Sequence, residues 1–391
     1  MVLNKLKYAV AAEIDARRKE LEELNRKIHD NPEIGLKEFK ASSWLSEYLE
    51  TNGFKVVKGI ASLPTAFRAS YGKGNPVTAF LAEYDALPQI GHACGHSIIA
   101  AAAAGAGIAS KIAADQYGGV VQVIGTPDEE NTGGKGLLIK AGAFNGVDAA
   151  MMIHPDIYDN AIILALACQS LDVEFFGKGA HAAAAPEQGI NALEAMLLSF
   201  NAIDALRQHV KDKVRIHGVI TDGGQAPNVI PAHSAASFNV RAGDTAYLED
   251  VKRKVIDCFT GAGIATGARL EYNWGEVCYA AMKNNLTLAR LFKENMETLG
   301  RKVKISEEGT SFSTDMANVS EVVPALHAMV KIAPPQIKHH TPEFARAAVS
   351  EAGVKGLLDG AKALAMTAAD LMANPANLES ARKEFAGVDN Q

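Results

Sequence analysis

Residues 91–99 read GHACGHSII, which sets Cys94 and His96 two positions apart just after the run PVTAFLAEYDALP (76–88). A thiolate and an imidazole so spaced can share a soft divalent ion, form a redox pair, or pack in an apolar interior. Other potential donors close apolar runs further along. GVVQVIGTPDEEN (119–131) ends on Asp128, Glu129 and Glu130, and DAAMMIHPD (148–156) ends with His154. Glu83 and Asp85 follow PVTAFLA, and IKHHTPEF (337–344) puts His339 and His340 before Thr341-Pro342-Glu343, a helix-start sequence. Each alone has a plainer reading: a buried thiol, a solvated acidic turn, a hydrogen-bonded histidine, two exposed loop histidines. Together they point elsewhere, because ligands of open α/β sheets gather beyond the carboxyl ends of strands, and these residues follow such runs or begin the helices facing them. Thiolate, imidazole and carboxylate suit zinc, with manganese or cobalt as alternatives. More donors than one tetrahedron needs implies two divalent ions sharing a bridging water.

The elements that must hold these residues follow from periodicity. Ile14, Leu21, Leu24 and Ile28 are spaced as a helix that HDNPEIG (29–35) should end, and a second helix is expected over 37–52. PVTAFLA, GVVQVIG and DAAMMI then alternate with helical stretches at 95–114 and 133–141. Near-continuous apolar strands in that alternation predict an α/β fold, a mostly parallel sheet with helices on both faces. Near residue 169 the pattern changes. SLDVEFF (170–176), a helix with Ile190, Leu193, Leu197, Phe200 and Ile203 on one stripe, VRIHGVIT (214–221), SAASFNVRA (234–242), a helix over 246–259 and ARLEYNW (268–274) give the order β-α-β-β-α-β. That order is the split βαβ, or ferredoxin-like, pattern. Helices and the strand EVVPALHAMV return after residue 279. The expected organisation is a discontinuous catalytic metal-binding domain, 1–168 with 279–391, interrupted by an inserted α+β domain at 169–278. GAGIATG (261–267) looks like a dinucleotide loop but follows a helix and precedes a strand, the reverse of the required context.

Composition narrows the function classes. The 391 residues are 48% hydrophobic and 21% charged with a net charge of −6, ordinary for a globular protein and unsuited to nucleic acid or an anionic membrane surface as the main partner. The N-terminus keeps charges throughout and lacks the apolar centre of a signal peptide, and IIAAAAAGAGIAS (98–110) is too short and too rich in Ala and Gly to span a bilayer. Four cysteines (94, 168, 258 and 278) form no CxxC pair. A cytoplasmic protein with reduced thiols is expected.

HDNPEIG, EYDALPQIGHACGHS, GTPDEE, DAAMMIHPD, KGAHAAAAP, PNVIP and HHTPEF, in this order, resemble the aminoacylase/carboxypeptidase metallopeptidases (peptidase family M20). The resemblance spans nearly the whole chain and is strongest to p-aminobenzoyl-glutamate hydrolases, auxin-conjugate hydrolases and β-alanyl dipeptidases. It implies that the inserted domain is a lid through which two copies dimerise. It also implies that Cys94 bridges two metals, with His96, Glu130, His154 and His340 as further ligands and Glu129 as general base. Neighbouring residues at a strand end point in different directions, which suits a split of roles between Glu129 and Glu130, although residue chemistry alone leaves both orders open. By the same resemblance His181 stabilises the oxyanion from the partner subunit, while Asn228 and Arg241 hold a substrate carboxylate; an outward Arg on a half-buried strand is equally ordinary. Ser97 stands where relatives often carry Asp or Asn, and the His339-His340 doublet is resolved by the match to His-Ser/Thr-Pro. The implied enzyme is a metal-dependent amidohydrolase acting on N-acyl or aminoacyl amino acids or dipeptides with a free carboxylate. A catalytically silent binding protein on the same fold is the alternative, and a zinc deaminase is disfavoured because its HxE…PCxxC signature is missing.

Overall fold

The computed structural model describes residues 2–307 and 312–387, and they divide into two compact units. The first contains the chain up to Leu164, the stretch resuming at Met282 and everything from Thr314 onward; the second is Ala165–Ala281 with a short stretch ending at Ser313. The insertion therefore begins a few residues before the 169 read from sequence and ends a few after 278.

The first unit is built on six strands: β1 (Lys55–Lys58), β2 (Phe67–Lys73), β3 (Val77–Ala82), β4 (Gly119–Gly125), β5 (Ala149–Asp156) and, late in the chain, a strand at Ala325–Lys331. Their order is β1-β2-β4-β3-β5 with Ala325–Lys331 at the far edge. β4, β3, β5 and the last strand are mutually parallel, while β1 and β2 add an antiparallel edge. Side chains alternate between two apolar layers, as the two-residue period of a strand requires. Phe80, Val121, Val123, Met151 and Ile153 enter one, and Ala79, Leu81, Ile124, Ala150 and Met152 the other. The first layer is covered by the helix His96–Tyr117, whose small residues let it lie close to the sheet. A Cβ on Gly107 would stand 2.4 Å from a methyl of Val123. That helix is apolar and long enough to cross a bilayer, and 89% of its most apolar window is buried within the fold.

The parallel strands finish level with one another, Ala82 beside Gly125 and Asp156 beside Lys331. The loops at 83–95, 126–133 and 332–341 consequently leave from one edge of the sheet.

The second unit contains β6 (Ala167–Phe176), β7 (Arg215–Asp222), β8 (His233–Ala242) and β9 (Arg269–Trp274), all antiparallel, in the order β7-β8-β6-β9. The helices Ala192–Leu206 and Thr245–Thr266 share its core. Two local expectations differ. The buried stripe of the first helix is Ala192, Ala195, Met196, Ser199 and Ile203, while Leu197 is exposed, because small residues allow a close approach to the second helix. The second helix continues through GAGIAT to Thr266, where Gly267 at φ +79° stops it; tertiary packing of Gly263 on Phe175 and Ala268 overrides the weak helix propensity of glycine. Where the chain enters and leaves this unit, Cys168 and Tyr279 exchange backbone hydrogen bonds of 2.9 and 2.8 Å.

Candidate metal centre

The helix His96–Tyr117 starts from Gly95, which holds φ +84° and touches Pro155; a Cβ there would stand 2.8 Å from the proline ring. This close approach brings Cys94 and His96 against the end of β5. Cys94 Sγ lies 3.4 Å from His154 Nε2. His154 donates from Nδ1 to its neighbouring Pro155 carbonyl at 2.8 Å, which turns Nε2 toward the thiol. His96 is oriented in the same way, with Nδ1 2.9 Å from the Asp85 carbonyl and 3.0 Å from Asp85 Oδ1. Its Nε2, fully buried, makes no hydrogen bond among the described residues and faces Glu83 Oε2 at 3.5 Å and Glu130 Oε1 at 3.9 Å.

Glu130 is placed by its own amide, which donates to Asp85 Oδ2 at 3.0 Å. Its Oε1 lies 3.4 Å from His340 Nε2, and the amide of His340 is tied to the Ala93 carbonyl at 3.0 Å. The histidine doublet separates because His340 adopts φ +59°. His340 turns to Glu130, whereas His339 packs between His154 and Phe344 and approaches Asp156 Oδ1 at 3.5 Å.

Three overlapping donor groups result: Cys94, His96 and His154; Cys94, Glu130 and His340; and His96, Glu129 and Glu130, with the atoms of each group within 4.8 Å of one another. Two nitrogen or oxygen donors bound to tetrahedral zinc at about 2.0–2.1 Å stand about 3.4 Å apart. The contacts of 3.4 to 3.9 Å are of that order. A buried imidazole nitrogen left unbonded while its partner nitrogen is anchored to a carboxylate is how a metal-ligating histidine is usually held. The donor set fits divalent ions.

Local electrostatics separate the two glutamates. Burial, with the charges of Glu83 and Asp315 added, raises the Glu129 carboxyl well above its ordinary range. Burial pushes Glu130 the same way, but the His340 and His96 rings outweigh it and hold Glu130 below its ordinary value.

Several neighbours carried no sequence signal. Lys135, wholly buried, places its ammonium 2.5 Å from Glu83 Oε1 and 2.5 Å from Asp315 Oδ1, and its amide donates to Asp315 Oδ2 at 2.9 Å. His327 stacks on His154 with ring centroids 5.6 Å apart. Nothing in GGKGLLIK or STDMAN announces a buried ion pair, since the partners stand 52 and 180 positions away.

His181, Asn228 and Arg241 belong to the second unit. The His181 and Asn228 loops are paired there, with the Ala182 amide donating to the Asn228 carbonyl at 3.0 Å. The amides of Ala183 and Ala184 donate to His181 Nδ1 at 3.3 and 3.2 Å, which leaves Nε2 of this exposed side chain facing away from its own loop. Arg241 donates to Ser313 Oγ at 2.8 Å.

A mostly parallel sheet whose carboxyl edge collects cysteine, histidine and glutamate donors has the form of a metallohydrolase. Residues 79–367 match the model of Peptidase family M20/M25/M40, and the chain belongs to that family. It is 38% identical to the Xaa-Arg dipeptidase of Mus musculus over 401 residues, covering 98% of this chain and 93% of the mouse protein. It is 33% identical to one of the p-aminobenzoyl-glutamate hydrolase polypeptides of Escherichia coli (strain K12) over 316 residues, 75% of this chain and 66% of that one. Among solved structures, a dinuclear metal-binding peptidase of Bacillus subtilis superposes with a TM-score of 0.71 at 20% identity, over 92% of this chain and 99% of the other. An aminobenzoyl-glutamate utilization protein of Klebsiella pneumoniae does so at 0.65 and 21%, over 88% and 96%. The chain is a metal-dependent amidohydrolase.

Proposed function

We propose that the chain hydrolyses the amide bond of a dipeptide or small N-acyl amino acid with a free carboxylate, using two divalent ions, zinc or manganese with cobalt as an alternative. The overlap of the donor groups carries this reading: Cys94, His96 and Glu130 each belong to two of them, but only Cys94 shares a group with every other proposed ligand, His96 and His154 in one and Glu130 and His340 in the other, as suits a bridging ligand. The near full-length likeness to a dipeptidase supports the substrate class.

When bound, such ions supply Lewis acidity at the amide carbonyl and lower the pKa of a nearby water. The protein's own groups do the rest. Glu129 takes a proton from the attacking water and delivers it to the leaving nitrogen. His181, reaching over from the partner subunit, donates to the developing oxyanion. Asn228 and Arg241 receive the substrate carboxylate, for which a planar guanidinium is well shaped.

Incubation with a chelator should abolish hydrolysis in a screen of dipeptides and acyl amino acids, and Zn²⁺, Mn²⁺ or Co²⁺ should restore it. Cys94→Ala and His154→Ala should each lower the metal content found by elemental analysis. Full metal occupancy in both variants would remove the ligand assignment.

Assembly has its own test. β7 is an open sheet edge carrying Val219, 61% exposed, and such an edge is suited to pairing with a second copy. If each site borrows a partner's His181, inactive His181→Ala and Glu129→Ala homodimers, mixed through denaturation and refolding, should recover activity. Random pairing makes half the dimers mixed and completes one site in each, about a quarter of all sites. Verified mixing with no recovered activity would place His181 within its own subunit or outside the chemistry.

A further inference from the structure

HDNPEIGLKE (29–38) contributes nothing to the chemistry proposed above, yet it lies against both acid-bearing loops of the metal centre. The Glu33 carbonyl accepts from the amide of Ala86, next to Asp85, at 2.8 Å. Glu38, with no exposed surface, accepts at Oε1 from the amides of Asp128 (2.9 Å) and Leu36 (3.0 Å) and at Oε2 from the Thr65 hydroxyl (2.8 Å).

What Glu38 grips is a left-handed turn. Asp128 holds φ +60°, a conformation that besides glycine is visited chiefly by Asp and Asn, when hydrogen bonds support it. Its Oδ1 accepts from Asn131 Nδ2 at 2.9 Å, and its Oδ2 from the Thr132 hydroxyl. Gly35 leaves room for it, since a Cβ there would stand 1.7 Å from Asp128 Oδ1. Two residues on, the amide of Glu130 is held by Asp85 Oδ2. Two buried carboxylates from separate parts of the chain thus hold the amides on either side of Glu129. The backbone angles across 128–130 decide where Glu129 and Glu130 point.

We propose that Glu38 is a positioning residue: by holding the Asp128 amide it locks the left-handed turn that aims Glu129 and Glu130 at their separate tasks of proton acceptor and metal ligand. The proposal rests on the two-metal hydrolase reading. Accepting both amides requires an oxygen at the Oε1 position and no negative charge, so Gln suffices at residue 38, whereas Asp is one methylene too short and Ala offers no acceptor.

The test uses the full chain and measures kcat, KM, Co²⁺ affinity and thermal midpoint in Glu38→Gln, Glu38→Asp, Glu38→Ala and Gly35→Ala. Partners that orient metal ligands are worth roughly 10–100-fold in affinity or activity. Glu38→Asp and Glu38→Ala should lose about that much in kcat and in Co²⁺ affinity, with KM within about threefold of the parent. Glu38→Gln should retain both. Gly35→Ala, which displaces Asp128 from the opposite side, should reproduce the loss and decides the matter if the Asp and Ala variants do not fold. Folded Asp and Ala variants with parental kcat and Co²⁺ affinity would overturn the proposal, as would a Gln variant damaged as much as the Ala one. A parent enzyme that binds no Co²⁺ and hydrolyses without metal would instead overturn the metallohydrolase reading on which it stands.

Discussion

Glu129→Gln is expected to give a folded protein with its full metal content and a kcat lower by about 10²–10⁴-fold, the range that one positioned acid–base group supplies. The substitution keeps the size and one oxygen of the side chain and removes its ability to accept a proton from water. Glu130→Gln alters the neighbouring side chain by the same atoms but should act on metal binding first, because Glu130 Oε1 sits among His96 and His340. Kinetics at saturating metal with elemental analysis of the same samples separates the two outcomes. An exchange of phenotypes would reverse the two roles while leaving the site intact.

Lys135→Met is expected to destabilise the metal-free protein by about 3–5 kcal/mol, the usual consequence of removing one member of a buried ion pair. Methionine fills the volume of the lysine stem, so the effect is electrostatic: Glu83 and Asp315 are left facing each other with no ammonium between them. The deficit should depend on pH. Even beside Lys135, burial holds Asp315 up at about 6, and without the ammonium it must rise further. A carboxyl whose folded-state pKa lies above its unfolded value of about 3.9 binds more protons when native, so stability falls as pH rises through that interval. Urea midpoints at pH 7 and pH 5.5 should therefore show a larger gap between variant and parent at pH 7. Equal gaps would mean that the triad is not charged as drawn, and no gap at all that Lys135 stabilises nothing.

The parallel core was legible because β3, β4 and β5 are largely buried on both faces, so their sequences are near-continuous apolar runs, interrupted by Thr78 and Gln122, with polar residues concentrated after one end. Glu130 and His154 stood out at the ends of such runs, and Cys94, His96 and His340 at the helix starts facing them, and the structure gathers all five. Glu38 and Lys135 were invisible because their partners lie 90, 52 and 180 residues away and nothing local distinguishes a buried charge from a solvated one. The left-handed angles at Asp128 and His340 were equally hidden. Neither is a glycine, and each is imposed by contacts outside its own segment. The helix after β8 runs beyond the expected 246–259 to Thr266, because packing of Gly263 against Phe175 sustains about another two turns through GAGIAT.

The paired backbone hydrogen bonds between Cys168 and Tyr279 close the second unit at its base. The ends of the residues between them are held together there, and Arg241 adds a hydrogen bond to Ser313, outside that stretch. A segment tethered in this way is free to be exchanged as a cassette. Grafting the corresponding stretch of the mouse Xaa-Arg dipeptidase between these two positions tests which unit carries selectivity, because the transplanted protein would retain Cys94, His96, Glu129, Glu130, His154 and His340 while its substrate preference was free to follow the donor of the cassette.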